Sequence, residues 1–307
     1  MCLFNLADSW SPMTPRAEFM RNVRDLGFGA IPALAILGTR ALPCVAASSL
    51  ATAAAAADPA SKVRFDATNL YVQRISNSNA TKLSTGVDGK DIFYPASFGG
   101  RWNASSRLVR FEAPLGEDAL GGARVRAAAE DELAGGPLDY VVKFSVVNNG
   151  SAAISDRLYN LESIAIASMG AGAVVDDFQM DSDLANHVRL ALSPYASGGA
   201  LFDIDLYVTQ RASESQPPDS FSCLESVRQV ITSRTDANAV PRPPREKIVE
   251  TVTAYRQLSP SRIVARQRTA SYLAPRDPRY RLMAAGEPRV QSTAVDLREY
   301  LIVYTKI

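Results

Sequence analysis

From Ile92 onward, apolar and polar residues alternate in one segment after another. In "GRWNASSRLVRFE", Trp102, Ala104, Ser106 and Leu108 fall on one side, and Arg101, Asn103, Ser105 and Arg107 on the other. A period of two is that of a strand with one wet face, and the Trp102 side is the predicted interior. "ALFDIDLYVTQR" repeats the pattern, with Phe202, Ile204, Leu206 and Val208 opposite Asp203, Asp205, Tyr207 and Thr209. "DYVVKFSVVNNG" sets Tyr140, Val142, Phe144 and Val146 on one face and stops at Asn-Asn-Gly, residues that accept the positive backbone angles of a tight turn. A hairpin returning through "ISDRLYNLESIAIAS" is the expected continuation.

Further strands are predicted in "HVRLALSP", "KIVETVTAYRQL", "SRIVARQRTASYL" and the C-terminal "REYLIVYTKI". The 247–258 and 261–273 segments, joined at "LSPS", read as a second hairpin. Residues 221–234 fit both a strand and a helical stripe through Leu224, Val227, Val230 and Ile231. Roughly eight to ten strands separated by turn signals predict an all-β domain over 91–307, in the manner of an antiparallel barrel or sandwich, with the barrel preferred. Three stretches read as surface excursions: 116–137, rich in Gly and Ala and with room for a short helix from Val125 to Leu133, and the Pro-rich "SESQPPDS" and "TDANAVPRPPRE".

The first ninety residues look different. Residues 58–90 are polar, without a sustained period, and are expected to form a flexible lead-in. Ahead of them lie a stretch carrying Arg16, Arg21 and Arg24 with few acids, an apolar run from Leu26 to about Leu37, and an Ala-rich tail ending at Asp58. A basic flank, a short apolar core and small residues at its end are the parts of an export signal. With the Arg-bearing stretch in front, residues 1–57 read as a two-part targeting segment, removed to leave a mature chain in the thylakoid lumen; simple secretion is the alternative. The apolar run is shorter than the roughly 20 residues a membrane-spanning helix needs, so no transmembrane segment is expected in the mature chain.

Composition narrows the chemistry. Among 307 residues, 33 basic side chains face 32 acidic ones, so no overall field draws the chain to nucleic acid. Of three cysteines, Cys2 and Cys44 fall in the removable segment. Cys223 is then left without a disulfide partner, and no Cys/His spacing suits zinc. The acidic run Asp176–Asp183 offers Asp177, Asp181 and Asp183 to a cation, but lacks the glycine and distal glutamate of a calcium loop, so a solvated turn is expected. No nucleophile elbow, phosphate loop or dinucleotide fingerprint is present. An enzyme of carboxylate or thiol type would need two or more of Asp156, Glu162, the single histidine His187, Cys223 and Glu250 to converge in one cleft; the reading adopted is non-enzymatic, with no cofactor assigned.

Gly100-x-Trp102, at the start of the long strand region, resembles the first-strand signature of lipocalin-like barrels. The resemblance implies a small residue and a ring at the closed end, with an arginine from a late strand packed on the indole; Arg266, Arg268 and Arg298 are the candidates. An ordinary buried Trp in a β-sandwich is the plain alternative. More broadly, "FYPASFGGRW", "RFEAPLG", "SDRLYNLESIAIA", "VRQVITSR", "VETVTAYRQ" and "IVARQRTASYL", in this order, resemble an uncharacterised family of cyanobacterial and plastid proteins assigned to the thylakoid lumen. That resemblance implies a location and no activity. Arginines set among strand aromatics, Arg157 with Tyr159, Tyr255, and Arg266 with Arg268, together with Trp102, are the candidate ligand-binding residues; turned inward they would rim a pocket for a carboxylate, phosphate or polar head group. Turned outward, they would pair with carboxylates across strands. The predicted function is binding of a small hydrophobic or amphipathic molecule such as a lipid, quinone or pigment. The alternative is an accessory factor docking on a photosynthetic membrane complex.

Overall fold

The computed structural model describes residues 63–65, 70–75, 91–170, 186–192, 201–216, 219–234, 244–277, 279–280, 290 and 292–307. The expected targeting segment, most of the lead-in and the Asp176–Asp183 run lie outside them. Among these residues ten strands are present: β1 (Tyr94–Pro95), β2 (Gly100–Glu112), β3 (Leu138–Val147), β4 (Ala152–Ser155), β5 (His187–Leu192), β6 (Leu201–Gln216), β7 (Ser220–Arg234), β8 (Arg245–Ser259), β9 (Arg262–Leu273) and β10 (Asp296–Lys306). Residues 221–234 are therefore strand, not helix. Among the described residues four α-helices accompany them: α1 (Leu70–Ile75), α2 (Gly116–Leu120), α3 (Ala123–Ala134) and α4 (Arg157–Met169). None is long and apolar enough to cross a membrane.

All strands join one antiparallel sheet in the order β1-β4-β3-β2-β10-β9-β8-β7-β6-β5. β5 to β10 run as a meander, and β10 pairs with β2, so the C-terminal strand sits in the middle of the sheet. The sheet curls. In a flat sheet with strands about 4.8 Å apart, seven spacings would hold β1 and β7 roughly 34 Å apart. Instead the ring of Tyr94 on β1 lies 5.0 Å from that of Phe221 on β7. Among the described residues β1 and β5 share no ladder, so the result is a half-barrel, and the expected barrel is not closed by hydrogen bonds.

The pattern along β2 holds. Trp102, Ala104, Ser106 and Leu108 are buried, while Arg101, Asn103 and Arg107 are exposed. The Asn-Asn-Gly turn after β3 holds too, since Asn148, Asn149 and Gly150 all take positive φ. Gly100 also needs its freedom, at φ 115° where the chain enters β2, and a side chain on Gly99 would collide with Cγ2 of Val146.

The continuation after that turn differs from the expected hairpin. Only Ala152–Ser155 pairs with β3, and the chain then becomes α4. Asp156 caps this helix, its side chain accepting from the backbone N–H of Tyr159. Leu161, Ile164 and Ala165 recur at helical spacing and enter the core beside Val188, Leu190 and Leu206 of β5 and β6. The helix also serves the edge of β3 that β4 leaves uncovered. Asn160 accepts from the N–H of Lys143 at 2.7 Å and donates to its carbonyl at 3.1 Å, and Ser163 Oγ accepts from the N–H of Val141. Two polar side chains thus stand where an eleventh strand would otherwise have to be, which is why strand and helix coexist within so short a segment.

On the convex side, α1 packs Ile75 against Leu224, Val252 and Ala254. At the other end of the concave side, α3 contributes Val125 and Ala128 to the core, and its Glu132 reaches Arg298 and Tyr300 of β10.

Lys247 on β8 shows what that end costs. Burial is the largest influence on its enclosed ammonium and pushes it down to about 7, with Asp296, Arg298, Arg279 and Asp277 pulling in both directions. In the unfolded chain the group keeps its ordinary value near 10.5. Between pH 7 and 10.5 the unfolded chain therefore binds the extra proton, and stability rises with pH; below pH 7 the lysine is charged in both states and the burial cost is fully present. Lys247→Met is expected to raise stability at about pH 6 and to flatten that rise, as read by urea unfolding across a pH series.

Candidate functional site

Alternation decides what the concave face presents. On β7, Cys223, Glu225 and Val227 point inward; on β8, Thr251, Thr253 and Tyr255; on β9, Gln267; on β10, Tyr304. With Tyr140, Val142 and Phe144 of β3, Val188 of β5, Leu206 and Val208 of β6, and Leu161 and Ile164 of α4, they enclose a cavity of about 100 Å³. Its wall is mainly aliphatic and aromatic. Tyr94 and Tyr255 meet nearly edge-on at 6.0 Å, and Tyr94 and Phe144 at 4.9 Å. Burial raises the Tyr94, Tyr255 and Tyr304 phenols well above their ordinary value, and Tyr140 to about 12, so all four are neutral at physiological pH.

One charged cluster borders the cavity. Arg157, the first residue of α4, reaches across to β7 and donates to both carboxylate oxygens of Glu225 at 2.8 and 2.7 Å, and to Asp91 just ahead of β1 at 2.6 Å. Arg211 of β6 approaches the same Glu225 at 3.4 Å. Burial opposes the charge on Arg157, but the two carboxylates outweigh it and hold the guanidinium protonated. Two cations and two anions balance, and the donors of Arg157 are spent on its own partners. The cluster ties β1's lead-in, α4 and β7 together across the side that the ladder leaves open.

The cavity floor contains polar groups of another kind. Thr253 Oγ donates to Gln267 Oε1 at 3.3 Å. Among the described residues, neither the Thr251 hydroxyl nor Gln267 Nε2 meets a partner, although both residues are 3% exposed. Buried polar atoms without partners are uncommon in folded proteins and point to a role or a bound group.

Of the six predicted ligand-binding residues, the structure brings Arg157 and Tyr255 to the cavity. Tyr159 lies on the outside, between Arg101 and Lys143. Arg266 and Arg268 flank Gln267 and so face the convex side. There Arg266 pairs with Glu299, and Arg268, fully buried, pairs with Glu250 and Tyr272. Trp102 is buried in the core beside the Ala96–Phe98 turn, its indole N–H donating to the Phe98 carbonyl at 2.7 Å. Among the described residues no arginine covers that ring. The cation over it is Lys306, 5.2 Å away, because β10 ends beside the start of β2. Arg298 is instead held by Asp296 and Glu132.

The residues proposed for an enzyme stand apart. Glu250 is with Arg268 on the convex side, Asp156 caps α4 and bonds Lys143, and His187 bonds Asp205 and stacks on Tyr207. Cys223 does line the cavity, but burial pushes its thiol up to about 12, which leaves it a poor nucleophile. Among the described residues no group of three His, Cys, Asp or Glu side chains is placed to hold a metal. Alternation in "VETVTAYRQ" already places Thr251, Thr253 and Tyr255 together. No local signal links Asp91 or Glu225 to Arg157.

Fold and site define an all-β half-barrel with a partly open cavity whose lining side chains are mainly apolar. Residues 86–297 match the model of a domain of unknown function, DUF6816, and the chain belongs to that family. No curated protein and no solved structure matches the chain.

Proposed function

We propose that the half-barrel is a binding site for one small hydrophobic or amphipathic molecule, doing without full closure what the closed barrel does in lipocalin-like proteins. The observation that carries this reading is the cavity, about 100 Å³ enclosed by apolar and aromatic side chains with a few placed polar groups. Sites for drug-sized molecules run to about 300–1,000 Å³, so a ring or a short head group fits and a whole pigment does not. The thylakoid lumen belongs to the same reading, supported by the signal-like pattern of residues 1–57 and by the resemblance to lumen-assigned proteins.

Native mass spectrometry with solvent extraction, on protein purified from its own source, tests the reading. A bound small molecule that is released on denaturation, and lost in Leu161→Trp, which fills the cavity, is the expected result. An apo mass in mild buffer, together with failure of any small apolar probe to raise the unfolding temperature, would overturn it.

A second reading, docking on a membrane complex, draws on exposed apolar side chains around the Ala96–Phe98 end. Val146, Leu258 and Ile307 are 54%, 46% and 63% exposed there. It predicts co-migration with a larger complex on native gels, and free migration under every condition counts against it.

A further inference from the structure

The chemistry of the cavity floor narrows the ligand. Resting on the reading of the cavity as a ligand site, we infer that the group recognised there is an uncharged hydrogen-bond acceptor, a carbonyl of ketone or quinone type, held by Gln267 and Thr251. Gln267 lines the cavity, its Oε1 accepts from Thr253 Oγ, and its amide nitrogen is left without a partner among the described residues. An amide nitrogen carries donors and no acceptor, and a threonine hydroxyl adds a rotatable donor. Thr253 faces Gln267 across the β8–β9 ladder, and Thr251 is two residues along from Thr253. The two groups are thus diagonal neighbours on one face, within reach of a single ligand.

Their chemistry does not suit an anion. Arg157, among the described residues the one cation lining the cavity, is bonded to Glu225 and Asp91, and an incoming carboxylate would also meet the Glu225 carboxylate. A buried charge without a counter-ion is disfavoured far more than a buried carbonyl with two donors. Apolar Val142, Ile164, Val188 and Leu206 supply the walls for the rest of a ring.

The test uses the full chain and three ring probes of similar bulk, cyclohexanone, methylcyclohexane and cyclohexanecarboxylate, titrated calorimetrically and by protein NMR. Two hydrogen bonds gained in a dry site predict about tenfold tighter binding of the ketone than of the hydrocarbon. The carboxylate is expected to bind no better than the hydrocarbon. Gln267→Met and, independently, the near-isosteric Thr251→Val are each expected to remove several-fold of the ketone's advantage and leave hydrocarbon affinity unchanged. Should one variant fail to fold, the other carries the comparison. Equal affinity for ketone and hydrocarbon, or strongest binding of the carboxylate, overturns the assignment of a carbonyl and leaves the cavity as a binding site. Failure of all three probes to bind removes the cavity reading itself, and this inference with it.

Discussion

Trp102→Ala is expected to lower stability by about 3–5 kcal/mol, the range for deleting a large ring from a packed core. The indole is fully buried and joins two parts of the fold. It packs in the main core from the first full-length strand, and its N–H satisfies the Phe98 carbonyl in the turn that precedes that strand. Removing it leaves a cavity, an unpaired carbonyl, and Lys306 without a ring beneath its ammonium. For a domain of this size each kcal/mol moves the midpoint by about 2–4 °C, so a loss of roughly 10 °C is the expected reading in a thermal melt. Trp102→Phe separates the terms. It keeps most of the apolar contact and loses the N–H, and it should recover more than half of the difference. A loss below about 1 kcal/mol for the alanine variant would mean that this end of the half-barrel collapses to fill the space.

The second large effect belongs to Arg157→Met. Glu225 is 6% exposed and Asp91 16%, and the guanidinium satisfies both. Breaking a buried ion pair from one side costs about 3–5 kcal/mol, mostly through the charge left behind. Arg211 still faces Glu225, so the lower end, about 3 kcal/mol, is expected. Urea unfolding of the single variant and of Arg157→Met/Glu225→Gln decides the cause, because the double variant carries no stranded carboxylate at position 225 and should regain at least about 1 kcal/mol. Equal stability of the two would show that the loss arises at Asp91 or in packing of α4 instead. Hydrogen exchange adds a spatial readout: amides of α4 and of the segment around Asp91 should open first, while those of β9 and β10 in the middle of the sheet stay protected.

Much of this architecture can be read from residue order. β2, β3 and the β8–β9 hairpin carry clean alternation because each buries one face, and the Asn-Asn-Gly turn has few other conformations open to it. Helix α3 lies within a residue or two of the expected Val125–Leu133, in the Ala-rich excursion. Helix α4 is not legible in the same way, because "SIAIAS" alternates as well as any strand. The decisive features are Asp156 as a cap and the ability of Asn160 and Ser163 to serve the backbone of β3. The second is visible only once that edge is in place.

The arginines were hardest to assign. Arg157 meets a glutamate 68 positions away only because the sheet curls, and Arg268 is buried only because the convex side is covered. Sequence gives the residue type and its parity on a strand. The partner depends on curvature, which arises from the whole sheet.

The side chains of α4 that bond to β3 have a bearing on how the protein behaves in a crowded solution. An uncovered strand edge offers a ready template to a strand of another molecule, and folded proteins protect against this with charges, bulges or a covering element. Here an asparagine and a serine occupy the hydrogen-bonding groups of Val141 and Lys143, and the salt bridge from Lys143 to Asp156 adds charge beside them. Whatever loosens α4 therefore uncovers an adhesive edge as well as the cavity, and self-association would precede any global loss of structure.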